Sequence, residues 1–421
     1  MGTHSYENSS MQTGTNGTSY YFSVASGDIT NFFNEVDLNT PWDYHYENLD
    51  SRTILDRLAA VKYFVVKAGE EEYLPYGYDT LAAEVEKNDK LYRAYECKNA
   101  LPIGYTYDSY IPEEKYAKMS TVEKQQALLQ GVILSNSTVP ETTSEFNDRE
   151  VPYKLVTGSG CREKDGKLIV TKENAQAKLV FDGLDECETY LITEGVDYEA
   201  LSPRELISDK KWSKMTLYEQ KKIQYENSTW RYWKESQKAY IDVTGQFLDK
   251  TISIFTDKYN AYSGRSDFLC NTGYSVKRKK SITLTFENTG VYSYKNMKVV
   301  CQPIENIESQ TTKLRAESLE NVEIKNHELT GNISVSKDKV LVISLPYSKG
   351  FQAYVDGQKT ELKQANTMYM ALELKKGAHE IRLTYCTPYL KAGLILTCAG
   401  VLCYICVVLA YKKKRGKKKH G

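Results

Sequence analysis

Twenty consecutive residues near the end of the chain, 392–411 (AGLILTCAGVLCYICVVLAY), carry no charge, and the ten that follow, KKKRGKKKHG, hold seven lysines and arginines. At 1.5 Å per residue a helix of that length covers roughly 30 Å, the thickness of a hydrocarbon core. A helix buried in a soluble core is rarely so long and so free of charge. Its polar exceptions, Thr397 and Tyr404, cost little, because a threonine hydroxyl bonds a carbonyl one turn back. Lysine and arginine flanking a span are retained on the cytoplasmic side. Residues 389–411 are therefore expected to cross a lipid bilayer, 412–421 to form a basic cytoplasmic tail, and everything before them to lie outside.

The formal net charge of zero hides a partition. With seven of the 55 basic residues in the last ten positions and none of the 55 acidic ones, the rest of the chain carries 48 basic against 55 acidic side chains. A mildly acidic body argues against nucleic acid as a partner, since that binding relies on basic surface. The body is also longer than one core usually supports, so two or three domains are expected. Tyrosine is abundant, 34 against 11 phenylalanines, which suits sugar or envelope contacts but follows more simply from an AT-rich genome.

Six cysteines lie outside the span, at 97, 161, 187, 270, 301 and 386, with no short repeated spacing, so no disulfide framework can be read. Cys403 and Cys406 form C-x-x-C within the apolar helix, where they are packing residues. The five histidines, at 4, 45, 327, 379 and 420, do not pair at metal-ligand spacing. TGSGC at 157–161 lacks the lysine and spacing of a P-loop, and no serine sits in a G-x-S-x-G elbow. Catalytic, cofactor-binding and metal-ligating residues are each expected to be none, and no cofactor is implied.

Periodicity divides the body. Residues 1–150 read as a mixed α/β region, with ILDRLAAVKYFVV at 54–66 passing from helical spacing into a buried strand. Residues 151–305 give short strands punctuated by Gly, Asn and Asp, an antiparallel, jelly-roll-like β-sandwich. A polar stretch near 205–235, rich in aromatics, interrupts them as a helical insertion. Its Trp212, Trp230 and Trp233 are weak candidates for sugar or membrane-interface contact; the plainer expectation is an amphipathic helix packing onto the sandwich. Residues 306–388 read as a helical connector and a small membrane-proximal β unit with alternating apolar positions and turns at Asp356-Gly357 and Lys376-Gly377. The fold class expected is thus mixed and mainly β, with one C-terminal transmembrane helix.

Three segments carry a family resemblance. LVISLPYSKGFQAYVDG, opening the stretch 341–395, resembles the C-terminal end of YfhO-family bacterial membrane proteins, with Phe351 where that family usually has tryptophan. LDRLAAVKYFVV (55–66) and YECKNALPIGYTYDSYI (95–111) resemble two upstream segments of the family in the expected order, with Cys97 replacing the usual asparagine. The resemblance implies a polytopic protein with a GT-C-like glycosyltransferase fold that adds sugars to lipoteichoic acid or a related envelope glycopolymer from a polyprenyl-phosphate-linked sugar. It places catalytic acids on outside loops between early transmembrane helices, which this sequence lacks. The chain would then be the extracytoplasmic C-terminal region plus the last span, inactive alone, partnered by the missing N-terminal transmembrane part and located in the bacterial cell membrane. DNA upstream of the initial ATG is expected to encode those spans, since MGTHSYENSSMQTGTNGTSYYF shows no signal peptide. Asn99, Leu101, Pro102, Tyr354, Asp356 and Gly357 match the family pattern and read as structural, with sugar contact by Asn99 the minor alternative.

Two other readings remain open on sequence grounds. One is a membrane-anchored, non-catalytic carbohydrate-binding module; the other is a tail-anchored protein with its body in the cytosol, which the basic tail opposes. Thiol labelling of intact cells at cysteines such as Cys97 or Cys270 would separate the outside and cytosolic placements.

Overall fold

Apolar residues at a period of two dictate the middle of the chain. In the strand Ala175–Phe181, Ala175, Ala177, Leu179 and Phe181 are buried while the residues between them face solvent, the pattern of a sheet with one wet face. The computed structural model describes residues 8–24, 26–38, 44–245, 248–260 and 262–417, with backbone alone at 47, 230, 231 and 412–417. Strands Tyr153–Thr157, Ala175–Phe181, Ser281–Phe286, Lys238–Thr244 and Asp249–Phe255 form, in that spatial order, an antiparallel five-stranded sheet. It packs on two four-stranded antiparallel sheets, one centred on Lys167–Val170 and Gly290–Ser293, the other on Cys187–Glu194 and Asn296–Pro303. One core fills the space between, with Leu168, Val170, Leu179, Leu191, Val243, Ile252, Ile282, Leu284 and Val299. Each fully buried aliphatic chain of this kind contributes roughly 1.5–3 kcal/mol by leaving water.

The insertion forms three helices, Asp209–Trp212, Leu217–Glu226 and Trp230–Glu235. The longest of them, Leu217–Glu226, does not pack onto the sandwich as an amphipathic helix would. Leu217–Glu226 buries none of its residues, and Leu217, Tyr218 and Tyr225 stand in solvent. The reason is its sequence, LYEQKKIQYE, which is polar on every face and so offers no apolar stripe. Local capping supports it instead: the Thr216 hydroxyl accepts from the Glu219 amide while the Glu219 carboxylate accepts from the Thr216 amide.

Two further sheets form the unit next to the C-terminal helix. Glu320–Lys325, Glu328–Val335, Gly377–Tyr385, Phe351–Val355 and Gln358–Thr360 make the outer one; Lys363–Ala365, Tyr369–Leu374, Lys339–Pro346 and Gly104–Tyr107 make the inner one. The inner sheet corrects the expectation of simple alternation. On Lys339–Pro346, Leu341 and Ile343 enter the core shared with the outer sheet, while Val340 and Val342 enter a second core with the N-terminal region. A strand buried on both faces reads as a continuous apolar run, as KVLVIS and YMALEL do. Asp356 and Gly357 have φ of 53° and 76°, the left-handed pair that closes a two-residue hairpin between Phe351–Val355 and Gln358–Thr360. Lys376 and Gly377 instead carry the chain from the inner sheet to the outer one, because the strands on either side pair with different neighbours.

The N-terminal region supplies the helix Thr53–Leu58, every residue of which is buried. Arg52 and Arg57 have no exposed side-chain surface, so each charge needs a partner. Arg52 donates to Asp50 at 3.2 Å and to the Val36 and Asp37 carbonyls; Arg57 donates to Glu308 at 2.5 Å and to Thr311 at 3.3 Å. Thr53 donates from its amide and its hydroxyl to Glu188 of the sandwich, at 2.9 and 2.5 Å. Asp50 also pairs with Lys250 at 2.7 Å.

The last helix, Leu390–Lys417, carries a 22-residue apolar stretch, Leu390–Tyr411, none of which packs on the rest of the protein. The Thr397 hydroxyl donates to the Gly393 carbonyl at 2.8 Å, as its place in an apolar helix requires.

Asp56, wholly buried, has one carboxylate oxygen with no hydrogen-bond partner among the described residues. Burial pushes its carboxyl up from the usual 3.8 to about 8, and the nearby Glu188 adds to the rise. The folded protein therefore holds a proton that the unfolded chain releases, so stability falls as pH rises from about 4 to about 8, by at most about 1.4 kcal/mol per pH unit. Thermal melts across that range should show the decline, and Asp56→Asn should flatten it; an unchanged slope in the variant would remove Asp56 as its source.

Candidate functional site

The segment LPYSKGF at 345–351 lies between two cavities of the surface. The strand Lys339–Pro346 loses register after Ile343, where Pro346 has no amide to donate. Three backbone contacts hold the displaced chain: the Ser344 amide donates to Ile103 at 2.8 Å, the Tyr347 amide to Met368 at 2.7 Å, and the Cys386 amide to the Gly350 carbonyl at 3.0 Å. At Gly350 an added methyl group would stand 2.5 Å from the Cys386 carbonyl and 2.6 Å from the Tyr385 ring. Only glycine lets the segment lie this close to the strand that leads into the apolar helix.

A cavity opens on each side of this bend. The first, of about 650 Å³, has an apolar interior that includes Phe22, Ile29, Phe33, Leu101, Pro102, Leu345, Met368 and Tyr369. Lys62, Lys98 and Arg315 also line it, all three exposed, so they stand at its mouth. No carboxylate lines it among the described residues. Lys62 pairs with Glu96 at 3.2 Å, and that hydrogen bond together with Tyr63 raises its pKa, keeping it cationic. Arg315 donates to the Lys98 carbonyl at 2.5 Å, which joins the other two cations. Cys97 lies in the wall, its thiol pushed up by burial and so a neutral, weakly reactive group. An apolar cavity with a cationic mouth is shaped for an amphiphile with an anionic head.

The second cavity, of about 770 Å³, shares Leu345 and Pro346 with the first and ends at Pro388, two residues before the apolar helix begins. Its lining is mixed: Tyr347, Phe351 and Tyr385 with Asp28, Asn326, His327, Lys349 and Gln364.

Of the residues singled out by sequence, Leu101 and Pro102 line the first cavity. Asn99 lines neither; its amide donates to Glu308 at 2.6 Å and so buttresses the Arg57 pair. Tyr354 lies under Arg382, at 5.7 Å from its ring centre, on the outer sheet. Asp356 accepts from the Glu380 amide at 2.9 Å and meets the His379 ring at 2.8 Å, while Gly357 completes the turn. Trp212 is covered by Arg204 at 4.4 Å, Trp233 is exposed, and the Trp230 side chain lies outside the described residues. Neither Trp212 nor Trp233 lines either cavity. Lys62, Lys98, Arg315 and Met368 were not singled out, and the segment 345–351 was marked only as part of the family resemblance. Lys62, Lys98 and Met368 lie within the stretches that carry that resemblance and Arg315 does not; cations scattered over 250 positions reveal a shared mouth only once folded.

The fold and cavities thus define a mainly β protein with an apolar C-terminal helix and a cavity that joins an apolar interior to a cationic mouth. Residues 3–397 match the family described as "Bacterial membrane protein YfhO", and the chain belongs to that family. It is 22% identical over 406 residues to the "Uncharacterized protein YfhO" of Bacillus subtilis (strain 168), covering 96% of this chain and 42% of that relative's length. Among solved structures, a mutant of arabinofuranosyltransferase AftD from Mycobacteria aligns with 35% of this chain and 12% of its own at 13% identity, with a TM-score of 0.15, too low to relate the folds.

The Asp356 contact gives a direct check of its structural role. Burial alone would lower the His379 pKa, but the bonds to Asp356 and to the Lys375 carbonyl outweigh it and raise the value above 6.5. The pair therefore contributes stability below the ordinary histidine pKa and loses it as pH rises through the folded value. An NMR titration should place His379 above 6.5, and Asp356→Asn should bring it down; a midpoint indifferent to Asp356 would break the assignment.

Proposed function

We propose that this chain forms the extracytoplasmic C-terminal part of a polytopic YfhO-family glycosyltransferase. In this reading it holds a polyprenyl-phosphate-linked sugar beside an active site borne by the transmembrane part of such proteins, for transfer to lipoteichoic acid or a related envelope polymer. One observation carries it: the first cavity joins an apolar interior to three cations, with no carboxylate among its described lining residues. An isoprenoid carrier needs both features. Each buried CH₂ contributes roughly 0.8 kcal/mol, and a phosphate in a partly dehydrated mouth gains charge-assisted hydrogen bonds from arginine and lysine. The basic run after the apolar helix supports the outside placement of the body.

The full chain in lipid nanodiscs should bind polyprenyl phosphate better than the uncharged polyprenol. The double change Lys98→Glu with Arg315→Glu should weaken phosphate binding roughly tenfold or more, with an unchanged melting temperature. Equal binding of phosphate and alcohol, or indifference to the charge reversal, would sink the reading.

Sidedness has its own test. Cys97 and Cys270 are buried and make poor reporters, whereas Cys386 is exposed just before the apolar helix. A membrane-impermeant maleimide should label Cys386 in intact cells and lose that label in Cys386→Ser. Labelling that appears only after lysis would place the body in the cytosol.

A further inference from the structure

We propose that the second cavity is a glycan subsite, binding a neutral oligosaccharide segment of the acceptor polymer, on the far side of a wall formed by Leu345 and Pro346 from the lipid-phosphate cavity. This rests on the reading of the first cavity and, of the acceptors named there, takes the related envelope glycopolymer and not the polyanionic chain of lipoteichoic acid. Three observations carry it.

The first is charge. Lys325 and Lys349 line the cleft together with Asp28 and Glu328, so its formal charge balances, in contrast to the first cavity. Lys325 is already paired with Glu323 at 3.1 Å, and Asp28 accepts from Gln364 at 3.1 Å. A polyanion finds no net attraction here. The second is surface chemistry. Tyr347 is half-buried in the wall, and Phe351 and Tyr385 stand with ring centres 4.9 Å apart, giving apolar faces on which the C–H face of a sugar ring can rest. Asn326 and Ser348 add groups that both donate and accept, and Gln364 adds an acceptor oxygen, as a hydroxyl-rich ligand requires. The volume, about 770 Å³, is in the range of ligand sites.

The third is place. Pro388 lines the cleft and the apolar helix starts at Leu390, so the cleft opens beside the start of that helix, within reach of a polymer anchored in the same membrane. The two cavities share Leu345 and Pro346, so their occupants lie one side chain apart.

The probe is a neutral trisaccharide, maltotriose and chitotriose in turn, added to the full chain in nanodiscs and followed by saturation-transfer NMR. At least one should bind at millimolar concentration or tighter. Tyr347→Ala should weaken it roughly tenfold while Tyr347→Phe retains it, since the ring and not the hydroxyl supplies the face. Polyprenyl phosphate binding should be unchanged in Tyr347→Ala, and Lys98→Glu with Arg315→Glu should leave trisaccharide binding intact. Binding of neither sugar, equal weakening by both Tyr347 variants, or displacement of the sugar by glycerol phosphate oligomers would overturn the subsite. In each of those cases polyprenyl phosphate binding still decides the first cavity by itself.

Discussion

The architecture depends on keeping two arginines charged where water cannot reach them. Arg52 and Arg57 flank and enter the buried helix Thr53–Leu58, and a guanidinium left unpaired there would cost several kcal/mol. Their partners are drawn from three directions: Asp50 and the Val36 and Asp37 carbonyls nearby, and Glu308 and Thr311 from the connector helix Ile307–Arg315. Thr53 extends the same helix to Glu188 in the sandwich. Pairing of Arg57 therefore ties the N-terminal region to the connector helix, and Thr53 ties it to the sandwich. The pairs are evidence of specificity of arrangement more than of net stability, because desolvation takes back most of what pairing gives.

From that fixed arrangement the cavities follow. The same connector helix that holds Arg57 ends in Arg315, one of the three cations at the mouth of the first cavity. Asn99 reaches Glu308 at 2.6 Å from the loop that also carries Leu101 and Pro102. A residue that touches no candidate ligand thus sets the position of two that line the pocket.

Much of the fold was legible in the sequence, and the reasons are specific. The strands Ala175–Phe181, Lys238–Thr244 and Ser281–Phe286 show period-two burial, and Asp356-Gly357 has the two residues that tolerate positive φ in succession. The apolar helix declares itself by length alone. What failed to show was anything set by a partner distant in sequence. KVLVIS and YMALEL do not reveal which neighbour covers their second face, and LYEQKKIQYE does not reveal that its aromatics find none. The site was legible only in outline: Leu101 and Pro102 fall within a quoted segment, but Lys62, Lys98 and Arg315 converge through tertiary packing.

The strand Gly104–Tyr107 pairs with Lys339–Pro346, Tyr107 opposite Val340, across roughly 230 residues of chain. A ribosome adding about 5–20 residues per second takes on the order of 10–50 s to make that interval. For that time the N-terminal strand has no sheet to join, and the core that its Tyr105 and Tyr107 rings enter lacks Val340, Val342, Tyr369 and Ala371. Maturation of this protein is thus timed by synthesis of its C-terminal end: the pocket wall closes only as the membrane-seeking helix is about to emerge.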